Sequence, residues 1–390
     1  LALGTWRDVE VMEELMNPEL KTLIDRWLEW DVTGTQTGEG YNRAAPSQRG
    51  PGSPQKFVKF LSELPVFKAP EDGFQLEYEH LRTYGETYGT NREGEVSANM
   101  PRREELFQPP LIIIPQAPGD DTTAPRAYLA SRPTAFSKSN YGYSCAGFPE
   151  SNTLAALIYL LPHSTLFAYF CLMTSRRSGF DRQTFNKEEF DALPFPDLTT
   201  LPPAKIRAIR SLAQRLQQDR QKPWGEINEL IFSLYGLEGD AVQVATDTLF
   251  AATSYRKAGR AALDRTTGQT RSGFIRALRE ELEPYFDICE EHAAVREAEF
   301  QPDSWREPWF FLSVSREVET VGVNASLMRE AMRAANERGT SRIIVEAPGK
   351  GGLLLGLLNQ RRWWTVTRAR LCAQHILRQH LTAFGLPQNV

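Results

Sequence analysis

The feature that most limits the fold is the apolar run at residues 154–173, which carries no Asp, Glu, Lys or Arg. An unbroken helix of this length and composition would reach across a bilayer. Pro162 interrupts it, because proline removes a backbone donor and clashes with the preceding turn. His163-Ser164-Thr165 then adds three polar residues. The pattern predicts two short helices buried in a core, and no membrane span. Ser151-Asn152 offers an N-cap for the first and Ser164 for the second. The second helix is expected to end at a turn where Arg176 and Arg177 complement the negative end of the helix dipole. A short helix at 185–193 and the stop Pro194-Phe195-Pro196 follow.

This element sits in a chain of 390 residues, long enough for two or three domains. With 41% hydrophobic and 11% aromatic residues, the chain can bury ordinary cores. Residues 1–30 show helical spacing of apolar side chains. Residues 55–150 alternate short apolar runs with turns. The clearest buried strand is Leu111-Ile112-Ile113-Ile114, closed by Pro115. The run Gly38-Glu39-Gly40-Tyr41-Asn42-Arg43 has neither a buried strand before it nor a helix after it, so it reads as a surface turn and not a phosphate cradle. Three helices are predicted at 203–220, 224–237 and 241–255, then a polar linker at 256–272. The remainder reads as helix 273–287, a strand near 309–314, helix 325–337, strands 341–346 and 353–358, and a terminal helix 366–384. Gly349-Lys350-Gly351-Gly352 between the last two strands reads as a hairpin tip. The expected fold is α+β, with a mixed domain over 1–202, a helical connector over 203–258 and a small α+β domain over 273–390.

Chemistry is sparse. Cys145, Cys171, Cys289 and Cys372 are widely spaced and mostly in apolar surroundings, which reads as reduced thiols in a cytoplasmic protein. Cys289-x-x-His292 and Cys372-x-x-His375 share a spacing that could supply zinc if two helices packed together. Small core residues placed by chance explain them more simply, and no metal site is expected. No Ser-His-Asp or Cys-His set stands out. Glu346 and Lys350 are too far apart for a metal-dependent nuclease motif. The charge distribution is more informative. The whole chain carries −4, yet residues 171–222 hold ten Lys and Arg against six Asp and Glu. A nucleic-acid backbone calls for such a local surplus. Residues 134–143 (TAFSKSNYGY) interleave Lys138, Ser139 and Asn140 with Phe136, Tyr141 and Tyr143.

Several of these stretches resemble, in the same order, the target-recognition region of bacterial N-6 adenine DNA methyltransferases of restriction-modification systems (type I or IIG-like). Arg102-Arg103-Glu104-Glu105-Leu106-Phe107 with Pro109-Pro110 and Leu111-Ile112-Ile113-Ile114 resembles an R-x-E-x-x-F-x-x-P stretch leading into a strand. The polar-aromatic loop 139–143, the helix pair, the Gly/Arg turn 175–182 and Leu193-Pro194-Phe195-Pro196 follow. Leu161-Pro162-His163-Ser164-Thr165-Leu166 departs from the family's Asn-Ser turn. Residues 227–237 resemble the helix after this region. Gln360-Arg361-Arg362-Trp363-Trp364-Thr365-Val366-Thr367-Arg368 resembles a Q-x-R-Y-W-T-x-S stretch of a C-terminal domain found in some members.

The resemblance implies binding of double-stranded DNA by Lys138, Ser139, Asn140, Tyr141, Arg176, Arg177, Arg182 and Asn186, with 193–196 as the hinge to the connector. Methyl transfer also needs an S-adenosylmethionine strand-turn and a Pro-Pro-aromatic loop that holds the flipped adenine. Neither is found, so no catalytic residue and no cofactor is expected in this chain. S-adenosylmethionine is expected in a catalytic domain preceding residue 1 or on another subunit. A second expectation is a specificity or interaction subunit that docks a separate methyltransferase or phage-defence partner. A third, a free-standing nuclease, lacks a visible set of metal-binding carboxylates.

Overall fold

The computed structural model describes residues 4–17, 19–43, 56–117, 126–175, 186–219, 221–254, 259–298, 308–316, 325–347 and 351–386. The chain is α+β and divides into two units, Leu1–Leu249 and Phe250–Val390. The first begins with α1 (Trp6–Leu15), α2 (Leu23–Leu28), β1 (Thr37–Glu39), β2 (Lys56–Val58), α3 (Tyr84–Tyr88) and β3 (Val96–Ala98). It continues with β4 (Leu111–Pro115), β5 (Tyr128–Ala130), β6 (Asn140–Ser144), α4 (Ser151–Leu160), α5 (Thr165–Thr174) and α6 (Lys187–Asp191). Then come α7 (Pro203–Gln218), α8 (Trp224–Leu234) and α9 (Asp240–Ala252), the last leading into the second unit. The main sheet of the first unit has the order β1-β6-β4-β5 and is antiparallel throughout, while β2 and β3 pair separately.

Leu111 to Ile114 of β4 are fully buried, which explains the unbroken apolar run. A strand covered on both faces has no reason to alternate polar and apolar residues. Helices α4 and α5 are buried on nearly every side, as helices apolar all round must be. They meet at 68° across a short 3₁₀ turn at Leu161–His163. Ser164 caps α5 by accepting the Phe167 N–H at 3.1 Å. Among the described residues no single helix is long and apolar enough to cross a membrane.

A buried carboxylate shapes the approach to β1. Asp31 is 2% exposed. It accepts hydrogen bonds from Trp27 Nε1 (3.2 Å), Thr33 Oγ1 (3.1 Å), the Thr35 N–H (3.0 Å) and the Gln36 N–H (2.7 Å). Four donors compensate the loss of water around this group.

The expected connector over 203–258 is not separate. Ile209, Leu212, Leu216, Ile227, Leu230 and Ile231 are buried in the same core as β4 and α4. The cause is legible in α7, whose apolar stripe needs a partner, while α4 offers apolar surface on every side. Arg210 fastens the two, with Nε donating to Thr153 Oγ1 and Nη2 to Glu150 Oε2, both at 2.7 Å. Residues 193–196, expected as a hinge, are all buried. They are pinned by Leu23 N–H to Leu193 O (2.8 Å), Phe195 N–H to Lys21 O (2.9 Å) and Tyr235 Oη to Pro194 O (2.8 Å).

The second unit starts at Phe250, earlier than residue 273. It contains α10 (Gly268–Ile288), β7 (Ala293–Glu297), β8 (Trp309–Arg316), α11 (Ala325–Glu337), β9 (Arg342–Glu346), β10 (Leu353–Leu358) and α12 (Val366–Gln379). Strand β7 was not anticipated; its sequence, Ala293-Ala294-Val295-Arg296-Glu297, is short and weakly patterned. The antiparallel sheet has the order β7-β8-β10-β9. Leu278, Leu282 and Phe286 of α10 and Cys372 and Ile376 of α12 pack on one face, against Leu312, Val314, Leu353 and Leu355. Met328, Ala331 and Ala335 of α11 pack on the other, against Trp309, Phe311 and Leu354. Gly356 lets β10 run beneath Phe311, whose Cε1 lies 2.7 Å from where a Cβ would sit.

His163 sits at the turn between α4 and α5, with its ring among Phe74 (4.5 Å), Tyr159 (5.2 Å) and Trp224 (5.9 Å). Burial, with help from the Arg126 and Lys222 charges, lowers its pKa from 6.5 to about 3. The unfolded chain therefore takes up the proton first. Stability contributed by the neutral ring is complete above pH 6.5 and is lost as pH falls toward 3. Between pH 7 and 5 the wild type is expected to lose roughly 1–2 kcal/mol more unfolding free energy than His163→Gln. Urea titrations of both proteins at the two pH values check this. Parallel losses would show that His163 is not neutral in the fold.

Candidate nucleic-acid interface

The connection that enters β6 is held as tightly as the strand itself. The Ala135 N–H donates to Pro65 O (2.9 Å), the Phe67 N–H to Ala135 O (2.7 Å) and the Lys138 N–H to Tyr41 O (2.8 Å). Phe136 is fully buried between Gly40 and Gly142. A Cβ on Gly142 would stand 2.1 Å from Phe136 Cζ, and one on Gly40 would stand 2.0 Å from Phe136 O. These two glycines permit β1, β6 and the 134–138 segment to close on one ring. The run 38–43, expected as a surface turn, is thus an edge of the sheet. β1 pairs with β6, Tyr41 bridges to Ser137 and Asn42 bridges to Met100.

The expected recognition residues take different roles on this frame. Arg176, Arg177 and Arg182 lie outside the described residues. Lys138 and Ser139 are exposed at the turn before β6. Among the described residues Lys138 makes no ion pair, and its backbone is fixed from both sides, since its carbonyl accepts from Gln116 Nε2 at 2.7 Å. Asn140 is 8% exposed, and its side-chain amide lies 3.3 Å from Ser137 Oγ and 3.4 Å from Ser139 Oγ. It therefore closes the turn instead of presenting its amide to a base edge. Tyr141 is 5% exposed and lies within β6, opposite Ile114 and Glu39. Asn186 is the N-cap of α6, joined to Glu189 in a reciprocal capping box.

Helix α6 lies against the Tyr143 side of β6. Tyr143 Oη donates to Asp191 Oδ1 (2.7 Å). Lys187 Nζ reaches Asp191 Oδ2 (2.5 Å) and lies 5.0 Å from the Tyr143 ring centre. Burial holds the Tyr143 hydroxyl well above the usual phenol range, with the Asp191 charge acting in the same direction. The phenol is a permanent donor here, and the trio ties both ends of α6, Lys187 and Asp191, to Tyr143.

Sequence reasoning missed Arg43 and Tyr88. The Arg43 guanidinium lies 4.2 Å from the Tyr88 ring centre, a cation–π distance. Tyr88 Oη is 3.4 Å from Tyr41 Oη, and the Tyr41 and Tyr84 rings meet edge-on at 4.7 Å. Tyr41 in turn binds the Lys138 backbone, so Arg43, Tyr88 and Lys138 belong to one corner of the first unit. The available signal was the Tyr41-Asn42-Arg43 end of the glycine run. Arg102, from the stretch that carries the family resemblance, has φ 66°. Its Nε donates to Gly40 O (3.1 Å) and its Nη2 pairs with Glu39 (3.3 Å), so it braces β1. Holding a non-glycine residue in the left-handed region costs on the order of 1 kcal/mol, offset by those bonds.

The two Cys-x-x-His pairs are not gathered into one site, although α10 and α12 do share a core. Cys372 is buried with Arg342 Nη1 3.5 Å from its Sγ, and burial pushes its thiol pKa up. His375 faces His380 at 5.6 Å. The glycine-rich segment before β10 is followed by a strand, as a hairpin requires, although residues 348–350 lie outside the described residues.

The chain matches no protein-family model and no curated protein.

The Phe136 contact can be tested directly. Gly142→Ala is expected to cost about 1–3 kcal/mol through overpacking. The loss should shrink when Phe136→Leu is made in the same chain, because the ring atom that blocks the new methyl is gone. Denaturant unfolding of the two single variants and the double variant reads the coupling. Strict additivity would show that the ring and the glycine do not limit each other.

Proposed function

We propose that this chain is the DNA target-recognition portion of an adenine-specific DNA methyltransferase of a restriction-modification system. It would hold duplex DNA for a catalytic domain outside the chain, where S-adenosylmethionine binds. Three things support the reading: the ordered resemblance over residues 102–237 and 360–368, the cationic surplus of residues 171–222, and the corner formed by Lys138, Arg43 and Tyr88. The corner carries most weight. An exposed ammonium without an ion pair among the described residues stands on a backbone hydrogen-bonded on both sides, one of those bonds to Tyr41, two residues before an arginine whose guanidinium lies over the Tyr88 ring. Side chains placed this way suit phosphate contacts, which position a duplex without reading its sequence. The base-reading role assigned to Asn140 and Asn186 has less support, since both amides have work within the fold.

Duplex affinity measured by fluorescence anisotropy across a salt series tests the reading. Each phosphate contact contributes about −0.9 to the slope of log K against log salt. Lys138→Ala with Arg43→Ala is expected to weaken binding and to make the slope shallower by about 1–2. A wild-type chain that does not bind duplex at low salt would overturn the proposal.

A second reading, docking of a separate methyltransferase subunit, is favoured by one observation. Trp6 and Val9 of α1 and Met16 at its C-cap are 43%, 42% and 41% exposed. Co-purification of a methyltransferase subunit that survives nuclease treatment and is lost in Trp6→Glu/Val9→Glu supports docking. Loss of the complex on nuclease treatment alone supports tethering through DNA.

A further inference from the structure

We propose that Glu283, Asp287 and His292 form a binding site for a divalent transition-metal ion of the zinc class in the second unit. The inference is independent of the DNA reading.

Two of the three residues are set by helix geometry. Glu283 and Asp287 stand four apart on α10, so they project from one face a turn apart. The third is set by the way the helix ends. The Cys289 N–H donates to Phe286 O (2.9 Å), the Glu290 N–H to Asp287 O (3.0 Å) and the Glu291 N–H to Phe286 O (3.0 Å). Glu290 takes φ 57°, the left-handed conformation that reverses a helix terminus. The chain doubles back at once, and His292, just before β7, lies beside the last turns of α10.

His292 Nδ1 is then 2.9 Å from Glu283 Oε1 and 3.3 Å from Asp287 Oδ1. All three candidate ligand atoms lie within 4.8 Å of one another. Four ligands at about 2.0–2.1 Å around zinc stand roughly 3.3 Å apart. The observed spacing admits an ion with small movements of side chains. Glu283 is oriented from behind, because its other oxygen, Oε2, accepts the Ala293 N–H at 3.3 Å. Outer bonds of this kind aim a ligand at its metal.

The electrostatics point the same way without reference to those distances. The last turn of α10 holds no basic residue. Glu283 and Asp287 stand at the negative end of a helix 21 residues long, followed by Glu290 and Glu291. Carboxylates there oppose the helix dipole, where cations are preferred. Arg316 pairs with Glu291 at 3.1 Å, and His292 is the basic group between Glu283 and Asp287. A divalent cation would neutralise the remaining negative charge.

The donor set narrows the ion. Magnesium and calcium favour all-oxygen sites, whereas one imidazole with two carboxylates suits zinc and its first-row neighbours. Three protein ligands on an accessible surface leave a fourth position for water.

Isothermal titration of the full chain with zinc, after removal of metal by chelator, tests the site. One equivalent is expected to bind. His292→Gln and Asp287→Asn should each weaken it by more than the 10–100-fold that loss of an outer-shell partner costs. His380→Gln serves as the control, since His380 lies beside Glu346 (3.2 Å) and His375 and could hold zinc by itself. It should leave the equivalent in place. Far-UV circular dichroism and Tm in the presence of chelator, unchanged in all three variants, confirm that the fold is intact; these are surface ion pairs worth little to stability. No zinc binding, or binding undiminished by His292→Gln, overturns the proposal; its loss in His380→Gln would place the ion at His380 instead.

Discussion

The first unit depends on β6 being covered on both faces by groups that cannot be exchanged for water. On one side Gly142 lies against the ring of Phe136 at a separation that excludes even a methyl group. On the other, Tyr143 packs edge-on to Trp27 at 5.3 Å and donates to the buried Asp191. A strand clamped this way has one register, because a one-residue slip would drive tyrosine into the space reserved for glycine. The rest of the first unit's architecture follows from that register. Tyr41 pairs with Ser137, Lys138 comes to the surface at a fixed point, and α6 starts where Lys187 can lie over Tyr143.

The second unit uses a different solution. Its sheet has helices on both faces, and β10 serves both cores by simple alternation. Leu353, Leu355 and Leu357 face α10 and α12, while Leu354 faces α11. Trp364 is part of the first of these cores, with Phe274 at 5.1 Å and Phe310 at 5.7 Å. Trp363 is half-buried between two arginines, Arg362 at 5.0 Å and Arg368 at 4.4 Å. The Arg-Arg-Trp-Trp-Thr stretch thus has a structural explanation: a 3₁₀ turn, a core tryptophan, and Thr365 capping α12.

The same distinction separates the legible from the illegible part of the candidate interface. Helices with strong periodicity were readable: α7, α8 and α11 stand within a few residues of where apolar spacing placed them. The exposure of Lys138 and Ser139 was also legible, because a Lys-Ser-Asn run between aromatics has little else to do. The roles of Asn140, Asn186 and Arg102 were not. A polar side chain that caps a helix or closes a turn has the same letter as one that meets a ligand. Only its neighbours decide which: near in the chain for Asn140 (Ser137 and Ser139) and Asn186 (Glu189), remote for Arg102 (Gly40 and Glu39).

By itself the sequence determined an α+β chain, a pair of buried helices broken at Pro162, and an apolar strand at 111–114. These follow from local periodicity and from backbone limits that proline imposes wherever it occurs. The tertiary structure decided that residues 203–249 belong to the first unit's core and that 193–196 is a pinned crossing. It also brought Arg43 beside Tyr88, and His292 beside Glu283 and Asp287. The first three turn on which remote apolar faces meet, and no window of neighbouring residues contains both sides of such a contact; the last turns on the left-handed residue Glu290, which reverses the chain within ten residues.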